Sequence, residues 1–225
     1  MSDGAPHSLE ITTRSGSVLV RVTDVARPTV VDGNASIDDD GVVHSTSSGR
    51  VEVCCPAGTD VVIGTLSGSV ECRGALGRVV VSTRSGKVHI DDAAEADVRT
   101  LSGSVELESC SGECQVVTKS AAVGIGAAAD ASVTSKSGTV EIGAVVNATV
   151  RSASGTVRVD MLGGGAVDVR TMSGRVDVHL PAEQSPVVAL HSRSGSVSGA
   201  GLPGTEQGGS LSVDTLSGAI TVTRR

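Results

Sequence analysis

The sequence predicts an all-β protein folded as one parallel β-solenoid (a β-helix) of about 11–12 coils, and three observations carry that reading. The heptapeptide Thr-Leu-Ser-Gly-Ser-Val-Glu stands at 65–71 and again at 100–106, with near-copies at 13–18, 83–88 and 171–176. Apolar and polar residues alternate on both sides of each Ser-Gly, which is the period of a half-buried strand. The 225 residues include no Phe, Tyr or Trp although 39% are hydrophobic. The core therefore has to be thin, filled by Val, Ile, Leu, Ala and Thr instead of the aromatic rings that dominate ordinary cores.

With the glycine of Ser-Gly as position zero, copies sit at Gly16, Gly49, Gly68, Gly86, Gly103, Ala121, Gly138, Gly155, Gly174, Gly195 and Gly218. From Gly49 onward the spacings are 19, 18, 17, 18, 17, 17, 19, 21 and 23, so a typical coil takes 17–19 residues. The 33-residue gap between Gly16 and Gly49 has room for one degenerate coil near Asp32-Gly33. The first strand of each coil is apolar at −7, from Leu9 to Leu211, and Val, Ile or Leu at −5 except for His44. It ends on Thr or Ser at −3. The bend follows, with Ser at −1 in every copy and glycine at zero, a residue that tolerates the backbone angles of a tight turn beside a hydroxyl suited to local bonding. The second strand has Val at +2, or Ile220 in the last copy, and an apolar residue at +4 broken only by Gly199. The stretch after +4 varies in length and composition and is predicted to be the loop side.

Stacked coils at strand spacing make a rod of roughly 55–60 Å. A β-hairpin meander, with Ser-Gly as a two-residue turn, is the alternative. It is disfavoured because Ser-Gly is a weaker turn former than Asn-Gly or Asp-Gly, and because a single layer leaves one face of its Val columns uncovered. Residues 1–7 are expected to be an N-terminal tail and 8–223 the repetitive domain.

A net charge of −7, from 18 basic and 25 acidic residues, argues against nucleic acid as a partner, and without aromatics there is no platform for stacking bases. No stretch approaches the roughly 18 apolar residues of a membrane span. Met1-Ser2-Asp3-Gly4-Ala5-Pro6-His7 lacks the basic and apolar regions of a signal peptide. The expected location is cytoplasmic, or exported if a leader has been removed, with no insertion of this chain into a membrane.

Of the five cysteines, Cys72 at +4 and Cys114 at −7 fall in inward columns and are expected to be buried, unpaired and hydrophobic in role. Cys55 is expected in a loop beside Cys54, and Cys110 and Cys114 have the wrong spacing for a zinc ribbon. At the outward position +3, Glu52, Glu71 and His89 fall on consecutive coils, where they could hold a divalent cation. They are read instead as a solvated acidic ridge continued by Glu106, Glu141 and Asp177 and interrupted by Gly124 and Arg158. No nucleophile elbow, P-loop or zinc-protease motif is present. The expectation is no catalytic residue, no cofactor and no metal. The outward position −2 alternates between basic and apolar, through Arg14, Ser47, Leu66, Arg84, Leu101, Lys119, Lys136, Ala153, Met172, Arg193 and Leu216, and is a candidate edge for a protein partner. The first and last coils are expected to be weakly capped ends open to head-to-tail self-association.

The Thr-x-Ser-Gly-x-Val-x-Val repeat resembles the bacterial putative-adhesin family of repetitive β-strand domains of unknown function, over essentially the whole chain. The resemblance implies a β-helical fold and adhesion, and it brings no catalytic motif. The functional expectation is a non-enzymatic, adhesin-like interaction or scaffold protein. A self-assembling structural filament or shell component, similar to the bactofilins, is the alternative, and a carbohydrate-active β-helix enzyme is a distant third.

Overall fold

Val, Ile and Thr suit the pleated, half-buried backbone of a strand, and each coil supplies two such runs bent around its Ser-Gly. In the structure, a computed structural model that describes residues 8–33, 35–38, 42–45, 49–162, 164–182, 186–199 and 209–224, these runs become fourteen strands. In chain order they are β1 (Ser8–Ser15), β2 (Val18–Val22), β3 (Thr29–Asp32), β4 (Ala35–Ile37), β5 (Val42–Ser45), β6 (Val51–Cys55) and β7 (Asp60–Ser67). Then come β8 (Val70–Ser137), β9 (Thr139–Met161), β10 (Ala166–Leu180), β11 (Val187–Ser194), β12 (Val197–Ser198), β13 (Ser210–Ser217) and β14 (Ile220–Arg224). All belong to one sheet, parallel throughout except where β3 pairs with β6 and β4 with β5. Like positions stack on like: Ser173 on Ser154, Gly174 on Gly155, Val176 on Val157. That is the register of a solenoid. A meander would have set −3 against +2 of the same repeat.

The inward columns are closed to solvent, with Val79, Val81, Val88 and Ile90 fully buried in one coil. The stretch after +4 is not a loop in the middle of the chain. β8 runs on through it, and Ala93, Cys110, Ala128 and Val145, all at +7, form a further buried column. The coil thus has a third side, narrow because its inward residues are small. Among its described residues, the gap before Gly49 forms no degenerate parallel coil. Its β3 and β4 lie antiparallel on β6 and β5 and cover the outer edge of that coil.

The bend works differently from its expected chemistry. Among the described residues, the −3 hydroxyl makes the local bond in five coils, as Thr100 and Ser135 donate to the carbonyls of Ser102 and Ser137 at 3.0 Å. The −1 serine reaches across to the neighbouring coil, where Ser154 donates to the Lys136 carbonyl at 3.3 Å. The glycine is required by its neighbour: a Cβ on Gly155, at φ 123°, would lie 1.9 Å from the Gly138 carbonyl oxygen.

The order of coils in space is not their order in sequence. β1 lies between β5 and β7, and β2 between β6 and β8, so the Gly16 coil is inserted between the Gly49 and Gly68 coils. At the other end β13 lies between β10 and β11, and β14 between β10 and β12. The Gly218 coil is therefore second from its end, and the Gly195 coil is last. The expectation that the first and last coils form the ends is overturned at both. Among the described residues, no helix is long and apolar enough to cross a membrane.

Candidate functional site

The exchange of the last two coils reshapes the −2 ridge. In space its order becomes Ala153, Met172, Leu216, Arg193, which brings two exposed apolar side chains together, 58% and 47% accessible. The −4 column beside it reads Arg151, Arg170, Asp214, His191. Alternation places −4 and −2 on the same outward face, so the two columns frame an open cleft of about 570 Å³. Met172 and Leu216 are its apolar surface, while Arg151, Arg193 and His191 contribute exposed cationic or polar groups. Arg170 is tied to Asp168 at 3.1 Å. Among the described residues, no ion pair holds Arg151 or Arg193. In a chain of net charge −7 this is a local basic region over apolar carbon, chemistry that fits a partner carrying both carboxylates and an aliphatic side chain.

Elsewhere on the ridge Leu66 and Leu101 are half exposed, with Arg84 between them and Lys119 and Lys136 beyond. Ser47 lies outside the described residues. Sequence reasoning found the ridge but not the cleft, because neighbours along the chain stand in for neighbours in space only when coils stack in order.

The +3 constellation is not brought together. Leu19 pairs with both Glu52 and Glu71, so the inserted coil separates those two carboxylates. Glu52 is not solvated either. It is 6% exposed and held by Arg21 and by Arg50, the latter at 3.3 Å. His89, Glu106, Glu141 and Asp177 do lie on the outer surface as read.

All five cysteines are free. Cys72 and Cys114 are fully buried as expected, and Cys110, in the narrow third side, is buried as well. Cys55 is buried in β6 and not in a loop. Burial pushes the Cys72 thiol up to about 12, with the nearby Cys55, Asp91 and Glu71 adding to the effect. Cys110 and Cys114 share a hydrogen bond that draws the Cys110 thiol down, and the same bond together with burial drives Cys114 up.

A family model described as Toastrack DUF4097 matches residues 3–222. A solved structure of a putative cell adhesion protein from Clostridium sporogenes is similar over 98% of this chain and 93% of its own, at 11% identity and a TM-score of 0.27. No curated protein matches the chain.

Proposed function

The chain belongs to the Toastrack DUF4097 family, and from that premise we propose that it is a non-enzymatic interaction protein, a rigid rod that binds a protein partner through the cleft around Met172 and Leu216. The supporting observation is the pairing of exposed aliphatic surface with the unpartnered guanidiniums of Arg151 and Arg193. Hot spots of binding favour this combination of a desolvated apolar anchor with an arginine beside it. The partner's complementary feature is a short segment with acidic residues flanking an aliphatic one. Selection from a displayed random-peptide library on the immobilised protein tests this. Acidic–aliphatic sequences should be enriched and should lose binding at least tenfold to an Arg151→Glu, Arg193→Glu variant. Ligands that bind the variant equally well would remove the cleft from consideration.

One observation favours self-association as a second reading. The outer edge of β11 and β12 has no strand partner among the described residues, and Val187 and Val197 are exposed there. Free strand edges recruit other strands. The opposite end is blunted by β3 and β4, edge strands of only four and three residues that offer little backbone to pair with, so this reading takes the form of a pair of rods meeting at their β11–β12 ends and not of a head-to-tail filament.

A further inference from the structure

We propose that His89, Asp91 and Glu108 form a binding site for one divalent cation of the zinc class. The sequence analysis expected no metal and placed His89 with Glu52 and Glu71. Stacking gives it different neighbours. His89 and Asp91 occupy +3 and +5 of the Gly86 coil, and Glu106 and Glu108 occupy the same positions on the next coil. His89 Nε2 lies 3.1 Å from Asp91 Oδ1 and 3.6 Å from Glu108 Oε1. The three donor atoms fall within 4.8 Å of one another. Zinc-class ions bind imidazole nitrogen and carboxylate oxygen at about 2.0–2.2 Å, so adjacent ligand atoms in such a site sit about 3–3.5 Å apart.

The surroundings hold these ligands in the orientation that binding requires. His89 Nδ1 is enclosed, makes no hydrogen bond and lies 3.5 Å from Glu106 Oε2, the acceptor nearest to it when Nε2 is given over to an ion. Glu106 is itself anchored by Lys87 at 2.9 Å. The second oxygen of Asp91 accepts the Gly74 N–H at 3.1 Å. Lys87 therefore balances Glu106, while among the described residues Asp91 and Glu108 have His89 alone as an ionic partner. A lone pair aimed at two carboxylate oxygens is repulsive unless a positive charge stands between them. A proton can serve, but a divalent cation satisfies all three groups and offsets both carboxylates. Three protein ligands leave positions for water, and Glu108 also walls an open trough lined by Gly124, Gly126 and Gly143.

Titration with Co²⁺, followed by its visible absorption, reads the site directly. One ion per chain should bind, be displaced by Zn²⁺, and give no near-ultraviolet thiolate-to-cobalt band, since the ligands are nitrogen and oxygen. His89→Gln and Glu108→Gln should each weaken binding at least tenfold, whereas Glu141→Gln on the same outer face and the Arg151→Glu, Arg193→Glu variant should leave it unchanged. Circular dichroism checks that each variant keeps its strands, and these outward-facing positions lie outside the core. Absence of saturable binding, binding unaltered by either His89→Gln or Glu108→Gln, or a thiolate band that puts the ion on cysteine would overturn the proposal.

Discussion

The −3 hydroxyl and the glycine at zero are the residues on which all coils but the Ala121 coil turn, and both were legible because their columns are nearly uniform. What the hydroxyls bond to was not legible, since that depends on how far the next coil lies and a sequence column carries no distance. Two glycines separate the causes of conservative-looking damage. Gly155→Ala meets a neighbouring carbonyl at 1.9 Å as well as a positive φ, and should lower stability by about 3 kcal/mol or more. Gly58→Ala has a positive φ with nothing within 4 Å, and should cost about 1 kcal/mol. Urea unfolding of the two variants measures the difference. Cys72 offers a pH test. Its folded-state thiol is raised from about 9 to about 12, so its contribution is complete below pH 9 and is lost as pH rises towards 12, where the unfolded chain gains by releasing the proton. Cys72→Val should be relatively more stable than the parent across that alkaline window and show a constant difference below it. A difference that is flat from pH 7 to 11.5 would contradict the burial argument. In the native protein Cys55, Cys72, Cys110 and Cys114 should react slowly with thiol reagents and the half-buried Cys54 faster.

At the scale of strands, the alternation on both sides of Ser-Gly located the inward columns correctly, because a one-residue slip would expose a whole row of Val. The third side was missed for a physical reason. Its single inward residue is Ala, Cys, Ala or Val, too small and too varied to stand out beside the Val and Ile columns. The inward assignment is tested by paired substitutions. Val105→Asp and Val140→Asp bury an unpaired charge and should unfold the coil that carries them, seen as lost amide protection. Glu106→Asp and Glu141→Asp, one residue along and outward, should change stability by less than about 1 kcal/mol, the scale of an exposed ion pair. Equal effects in the two sets would mean that inside and outside have been exchanged.

For the whole molecule, the solenoid could be read from the sequence but the order of its coils could not. Each repeat presents the same inward columns, so any coil fits beside any other, and nothing local says that Gly16 follows Gly49 in space. The longest spacings, 33 residues before Gly49 and 23 before Gly218, mark the two places where the chain reverses its direction of stacking, while the steps over a coil fall on the spacings of 19 before Gly68 and 21 before Gly195. The contrast between the short-stranded end and the open β11–β12 end makes a prediction about assembly. Light scattering should show a concentration-dependent dimer, reduced to monomer by Ala189→Lys on the free edge of β11, where a charged residue discourages pairing. A strict monomer at high concentration and high salt would remove self-association, and long polymers would show that the short β3 and β4 edges pair as well. The same step-over decides how the rod bears load. Tension applied between Ser8 and Arg224 enters each time at the second coil, where β1 and β14 are each gripped by strands on both flanks. A solenoid stacked in simple order would peel from its outermost turn, breaking one ladder at a time. Here a pull must shear two ladders together before anything gives, while the outermost turns hang slack, so the molecule resists stretching as a clasped chain does and not as a zip.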